Sequence, residues 1–176
     1  MNNYTFNIIL IGSYCIGKSY LLNKYINNVY SSFFSYENYL EYKTKDITIR
    51  DKKIKLNLYE IKYNYGKSLI SYPNLKKADG VFIMYDITYK PSFLDVKDIL
   101  KDIDEYLKED AKKCKVLIAC KCDDSYREIK EYEGKNLGNE YHIPFFETSA
   151  LRNTNIQEMF IFLANKILRL KENETL

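Results

Sequence analysis

Residues 12–19 read Gly12-Ser13-Tyr14-Cys15-Ile16-Gly17-Lys18-Ser19, and they constrain the structure more strongly than any other part of the chain. They satisfy the pattern GxxxxGK followed by Ser or Thr, between an apolar run and a helical pattern, which is the context that makes the match specific. The two glycines let the backbone curl so that its N–H groups point at phosphate oxygens. The stretch therefore predicts a phosphate-binding loop in which Lys18 bridges the outer phosphates and the Ser19 hydroxyl ligates Mg²⁺. The alternative is an ordinary turn in which these residues follow by chance.

On both sides of this loop, short apolar runs alternate with amphipathic stretches. The apolar runs are typical of buried parallel strands and lie at 7–11, 81–85, 116–120 and 143–146. The amphipathic stretches predict helices at 17–27, 91–108, 126–141 and 154–170, and Pro91 suits a helix start. Residues 40–61 differ, because apolar and polar residues alternate there around a polar turn at 50–53, which predicts a β-hairpin.

These elements predict a single α/β domain over residues 1–176. The expected architecture is a P-loop NTPase fold, with a mostly parallel six-stranded sheet, one antiparallel hairpin strand and helices on both faces. In such sheets ligands bind beyond the carboxyl ends of the strands.

Composition argues against several classes of function. The net charge is only +3, and acidic and basic residues are interleaved along the chain, which is typical of a solvated surface and not of a nucleic-acid-binding patch. The four cysteines have one distant histidine, His142, as their only companion, so reduced thiols are expected rather than zinc or disulfides. No window approaches the roughly 18 apolar residues of a membrane span. The last seven residues contain no cysteine, so we expect no lipid-anchor site in this sequence and any membrane association to be peripheral. The protein is expected to be a monomer.

Two further segments each follow a predicted strand. They read Cys120-Lys121-Cys122-Asp123 and Glu147-Thr148-Ser149-Ala150. This pair resembles the NKxD and ETSA elements of Ras-superfamily GTPases, and the segments 78–88 and 142–150 are similar to the Rab branch. The resemblance covers nearly the whole chain. It implies the small-GTPase fold, Mg²⁺-dependent binding of GTP and GDP, protein effectors that contact the switch region, a role in intracellular vesicle trafficking, and a cytoplasmic location, peripheral on endomembranes.

The resemblance also assigns roles within the site. Asp123 would accept two hydrogen bonds from guanine, Lys121 would cover the plane of the base, and the backbone at Ser149 and Ala150 would read the guanine oxygen. The family has Asn where this chain has Cys120, a weaker donor, so affinity is expected to fall while base choice survives. The full set of implied nucleotide-binding residues is Gly12, Ser13, Tyr14, Cys15, Ile16, Gly17, Lys18, Ser19, Tyr20, Cys120, Lys121, Asp123, Ser149, Ala150 and Leu151.

The two switch segments depart further from the family. The threonine of switch I is replaced by Glu37, and the Asp-x-x-Gly-Gln of switch II reads Glu60-Ile61-Lys62-Tyr63-Asn64. Ser19, Glu37 and Glu60 are the predicted metal residues, with Glu60 reaching the water shell of Mg²⁺. Tyr63 would offer its amide to the third phosphate, and Asn64, one methylene shorter than Gln, is the candidate for orienting the attacking water. Tyr14 would crowd the third phosphate, so we expect strongly impaired hydrolysis.

Three functions are compatible with this sequence. The first is a divergent Rab-like GTPase that hydrolyses GTP slowly. The second is a catalytically inactive pseudoGTPase that serves as a protein-interaction module. The third is a P-loop kinase, which is disfavoured because the chain has only Arg50, Arg127, Arg152 and Arg169 to form an arginine-rich lid. In the second case a tyrosine-rich switch surface would contact partners, and it comprises Tyr30, Tyr36, Tyr39, Tyr42, Tyr59, Tyr63 and Tyr65.

Overall fold

The computed structural model describes residues 4–28, 42–64, 73–107 and 113–173. Within these ranges strands and helices alternate along the chain in the predicted way, with one hairpin. The elements are β1 (Tyr4–Gly12), α1 (Lys18–Asn27), β2 (Lys43–Ile49), β3 (Lys52–Lys62), β4 (Gly80–Asp86), α2 (Lys90–Leu107), β5 (Cys114–Cys120), α3 (Glu131–Glu140), β6 (Phe145–Glu147) and α4 (Ile156–Asn173).

The six strands form one sheet in the order β2-β3-β1-β4-β5-β6. All neighbours are parallel except β2 and β3, so the predicted mostly parallel sheet with one antiparallel hairpin strand is confirmed. One hydrophobic cluster packs α1 and α4 against one face of the sheet, and a second packs α2 and α3 against the other. Because helices cover both faces, β1 and β4 read as continuous apolar runs. Among the described helices, none combines the length and the apolar character needed to cross a bilayer.

The hairpin closes more tightly than the sequence predicts. Ile49 pairs with Lys52, so the turn consists of Arg50 and Asp51 alone, instead of residues 50–53. Both turn residues have positive φ, 48° and 61°, which is the signature of the two-residue type I′ turn. This geometry matches the right-handed twist of the two strands.

Three elements begin two or more residues later than predicted, each for a local reason. Helix α3 begins at Glu131 and not at residue 126, because residues 126–130 form a loop that buries Ile129 on the α2 side of the sheet. Helix α4 begins at Ile156, two residues later than predicted, because Asn155 has a positive φ of 55° that a right-handed helix excludes. Strand β6 begins only at Phe145, after Pro144, which has no N–H for the ladder.

Candidate nucleotide site

The loop between β1 and α1 turns sharply at two left-handed residues. Gly17 has a φ of 102°, which strains any residue with a side chain, and Cys15 has a φ of 58°. At the start of the loop a Cβ on Gly12 would lie 2.3 Å from the Met84 carbonyl oxygen, so only glycine fits there. The chain thus takes the strand–loop–helix path that the sequence predicts.

The Lys18 side chain lies inside the curve of this loop. It is 5% exposed, and its ammonium donates to the carbonyl oxygens of Gly12 at 2.7 Å and Ser13 at 2.6 Å. Burial lowers its pKa to about 8, against the opposing effect of the nearby Glu60 carboxylate. An ammonium has three N–H donors, so one remains for a ligand, and an incoming phosphate would favour the charged form.

Ser19 and Glu60 bring two hard oxygen donors together at the same end of the site. The Ser19 hydroxyl donates to the Glu60 carboxylate over 2.6 Å. Mg²⁺ is usually held by one or two protein oxygens together with waters and substrate phosphates, so this pair fits that ion. Within the described ranges no three His, Cys, Asp or Glu side chains converge. Glu37 lies outside the described residues, as do Tyr30, Tyr36, Tyr39 and Tyr65 of the tyrosine set.

A cavity of about 310 Å³ joins the phosphate loop to the ends of β5 and β6. It brings together three segments that are far apart in sequence, around residues 15–21, 120–124 and 148–151. Asp123 lines it from the loop after β5, and Ala150 lines it from the loop after β6. The predicted residues that border it are Cys15, Ile16, Gly17, Tyr20, Cys120, Lys121, Asp123, Ala150 and Leu151.

Lys121 is positioned by a residue that the sequence interpretation missed. Its ammonium forms an ion pair with the carboxylate of Asp86, a buried residue at the carboxyl end of β4. The same carboxylate accepts hydrogen bonds from the N–H of Thr88 at 2.8 Å and from its hydroxyl at 2.7 Å. A polar residue directly after an apolar run, where parallel strands end at the ligand side of a sheet, was the available signal.

The loop after β6 uses its two predicted amides differently. The Ser149 N–H donates to the Thr154 carbonyl at 3.2 Å, and the Ser149 hydroxyl accepts from the Arg152 N–H at 2.9 Å. The Ala150 N–H donates to no described residue, and Ala150 lines the cavity. The Ser149 N–H is thus engaged within its own loop, whereas the Ala150 N–H has no described acceptor, and the reading of the base by these two backbone groups stays a prediction.

An ion pair holds the loop after β5 in place, and a buried thiol lies at the end of that strand. Arg127, which the sequence did not single out, donates from Nη1 and Nη2 to the two carboxylate oxygens of Glu147, at 2.6 and 3.0 Å. Cys120 is buried, and burial raises the pKa of its thiol to about 12, so the group is neutral. The thiol remains a weak donor at the position where the family has an amide.

Tyr63 overturns one expectation about switch II. Its N–H donates to the Gly12 carbonyl at 2.9 Å, so this amide is not on offer to a third phosphate. Its hydroxyl donates to the Asp102 carboxylate on α2 at 2.9 Å, and the residue is 4% exposed. The physical reason is that the parallel pairing of β3 with β1 continues for one more hydrogen bond beyond Lys62. The buried Tyr63 ring stabilises this extension.

A second cavity of about 560 Å³ also borders the phosphate loop and is lined by Ser13, Tyr14, Tyr63, Asn64 and Asp95 among others. The Ser13 hydroxyl donates to the Asp95 carboxylate at 2.5 Å. Tyr14 is 58% exposed, with the Lys62 ammonium 5.6 Å from the centre of its ring. Asn64 is exposed and makes no hydrogen bond to a described residue. The candidate catalytic side chain is thus at the surface of a wide opening.

Phosphate loop, hydroxyl–carboxylate pair and base-sized cavity together make this a P-loop nucleotide-binding protein. A sequence model of the Ras family matches residues 7–169. The chain is 32% identical to the Ras-related protein Rab-10 of Diplobatis ommata over 93% of its length and 82% of the relative. It is 30% identical to the Ras-related protein Rab-8B of Pongo abelii, over 94% of this chain and 80% of the relative. The chain therefore belongs to the Ras family, as a Rab-like small GTPase.

Proposed function

We propose that the protein binds GDP and GTP with Mg²⁺ as a divergent Rab-like GTPase and hydrolyses GTP slowly. The observation that carries the proposal is the cavity of about 310 Å³, which links the phosphate loop to Asp123, Lys121 and Ala150. A carboxylate acceptor and a free amide donor at one end of this cavity are complementary to the two N–H groups and the oxygen of guanine. Lys18, whose ammonium lies inside the phosphate loop on the Gly12 carbonyl, supplies a cation for phosphate.

Base choice tests this proposal directly. We expect GDP to bind more tightly than ATP, and Asp123→Asn to move the preference toward xanthine nucleotides, because an amide complements an oxygen where guanine has an amino group. Competition titration with GDP, ATP and XDP measures both effects. Equal affinity for GDP and ATP would contradict the assignment of Asp123 and Ala150 to guanine recognition.

Slow hydrolysis follows from the state of the second switch segment. Catalysis of phosphoryl transfer depends on positioning and charge stabilisation, and here the Tyr63 amide is committed to Gly12 while Asn64 is short and exposed. We expect single-turnover GTP hydrolysis below that of a Rab with the family's Gly-Gln pair, measured side by side. Hydrolysis at the same rate as that Rab would contradict the assignment of Tyr63 and Asn64.

Contact with protein effectors is supported by a pair of aromatic rings on the hairpin. Tyr42, which is exposed, and Tyr59 on β3 have ring centres 5.2 Å apart. Aromatic rings of this kind are enriched at protein interfaces. Together with the likeness to Ras-related Rab proteins, the pair supports a role in vesicle trafficking at the cytoplasmic side of endomembranes, with peripheral membrane association.

The pseudoGTPase remains the second candidate, and the committed Tyr63 amide is the observation that favours it. The nucleotide that co-purifies with the protein separates the two. Bound GDP or GTP supports the GTPase, whereas a site that is empty and takes up no added nucleotide supports an interaction module.

A further inference from the structure

The end of β3 is fixed to two parts of the molecule at once. Tyr63 donates its N–H to the phosphate loop at Gly12 and its hydroxyl to α2 at Asp102, each over 2.9 Å. The side chain between these bonds is buried, so opening the arrangement costs two hydrogen bonds and exposes an aromatic ring. We call this pair of contacts the Tyr63 latch.

The latch borders the place where the outermost phosphate of a nucleotide would lie. The Gly12 carbonyl accepts hydrogen bonds from both the Lys18 ammonium and the Tyr63 N–H, so the two donors are neighbours on one oxygen. A phosphate drawn to the Lys18 ammonium therefore approaches the Tyr63 backbone. That backbone offers it no free N–H while the latch is closed.

Helix α2 presents a row of carboxylates on the same side. Asp95, Asp98 and Asp102 recur at intervals of three and four, so they share one face of the helix, and all three act electrostatically on the Tyr63 hydroxyl. Asp102 accepts the latch hydrogen bond, whereas Asp98 makes no hydrogen bond or ion pair within the described part of the chain. Replacing Asp102 removes both the latch hydrogen bond and a negative charge, whereas replacing Asp98 removes only a negative charge. The two variants therefore form a matched pair.

We propose that Tyr63 is a specificity-determining residue: the latch leaves the site open to a guanine nucleoside diphosphate and penalises a third phosphate. The proposal rests on the proposed binding of guanine nucleotides. A ligand shifts an equilibrium only through different affinities for the two states. The triphosphate gains its contact only after the Tyr63 N–H leaves Gly12, so its measured affinity is reduced by the cost of opening, while the affinity for the diphosphate is not.

The test measures the affinity of the full chain for GDP and for a non-hydrolysable GTP analogue, both with Mg²⁺, by titration calorimetry. Tyr63→Phe removes the hydroxyl and keeps the buried ring, and Asp102→Ala removes its acceptor. We expect each to raise the affinity for the analogue relative to GDP by about three- to tenfold, the usual effect of one hydrogen bond. Asp98→Ala, which removes a carboxylate from the same face, should change this ratio less than twofold.

Each outcome decides the matter. Equal effects of Asp98→Ala and Asp102→Ala would assign the discrimination to charge and overturn the latch, as would an unchanged ratio in Tyr63→Phe. If the wild-type protein binds no GDP, the proposed function falls and the latch with it. If GDP binds and the ratios stay constant, only the latch falls.

Discussion

Cys15 and Cys120 border the same cavity, yet their thiols differ in accessibility. Cys15 is exposed on the phosphate loop, whereas burial raises the pKa of Cys114 and Cys120. The thiolate is the reactive species, so a raised pKa means less of it at a given pH. We expect iodoacetamide at pH 8 to modify Cys15 first and Cys120 last, and bound GDP to protect Cys15.

Peptide mass spectrometry measures this order, and Cys15→Ser serves as the control that should abolish the fast phase. Alkylation of Cys120 as fast as that of Cys15 would contradict the burial of the β5 terminus.

Replacing Cys120 by the family's residue should strengthen nucleotide binding. Cys120→Asn supplies an amide at the end of β5, and one or two better hydrogen bonds at about 1 kcal/mol each correspond to a gain in GDP affinity of roughly five- to thirtyfold. Titration calorimetry with GDP measures the change. Cys122→Asn, two residues along in the same loop, is the matched control and should leave the affinity within twofold. A loss of GDP affinity in Cys120→Asn would contradict the proposed role of this position.

Individual residues were predictable where their role depends on close neighbours in sequence. Gly12, Gly17, Lys18 and Ser19 belong to one short pattern whose geometry is local, and the loop takes the path that this pattern predicts. The partner of Tyr63 was not predictable, because the Asp102 carboxylate lies on another element and no spacing in the sequence records that contact.

Helix α3 rests on the sheet through a glycine. A Cβ on Gly134 would lie 2.4 Å from the Tyr85 hydroxyl oxygen and 2.5 Å from the ring of Phe145. Gly134→Ala gains about 1 kcal/mol of helix propensity, but overpacking a buried contact typically costs about 1–3 kcal/mol, so we expect a net loss of stability of roughly 1 kcal/mol.

Urea unfolding of the nucleotide-free protein measures this loss. Asn136→Ala, at an exposed position of the same helix, isolates the propensity term and should raise the free energy of unfolding slightly. If both variants gained stability, the close contact between α3 and the sheet would not exist in solution.

Elements were predictable where burial follows one simple period. Strands β1 and β4 are buried on both faces and read as continuous apolar runs, so they were found from the sequence. The start of α3 was misplaced because Ile129 is buried by a loop, and a loop can fill a core position without any helical turn. The spacing of apolar residues predicts which side chains are buried, but it does not by itself determine whether a helix or a loop carries them.

Binding of GDP should stabilise the whole molecule against unfolding, and this stabilisation should require Lys18. A ligand at 100 times its Kd adds about 2.7 kcal/mol to the free energy of unfolding. We expect GDP with Mg²⁺ to raise the Tm of the wild-type protein, and Lys18→Ala to abolish the rise while the variant still unfolds cooperatively. Lys24→Ala removes the same charge from the same helix, but the Lys24 ammonium donates to the Asn28 carbonyl at the far end of α1 and not to the phosphate loop, so this variant should keep the full rise.

The metal is tested in the same assay. Chelation of Mg²⁺ should reduce the rise in Tm for the wild type, because Ser19 and Glu60 form the oxygen pair suited to the ion. In Ser19→Ala the rise in Tm should be small, and chelation of Mg²⁺ should not change it.

A full rise in Tm in Lys18→Ala would show that nucleotide binds without the phosphate loop.

The cavity also carries a consequence for protein synthesis. The loops after β1, β5 and β6 line it, so the segment that would bind phosphate is synthesised well before the segments that would bind the base. At about 5–20 residues per second, the interval between Cys15 and Leu151 is on the order of ten seconds. During that interval a nascent chain has half a site, and guanine nucleotide can be captured with full affinity only once the last strand is in place. Nucleotide capture would thus mark completion of the sheet, so a chain stalled before β6 should be recognisable by its failure to retain GDP.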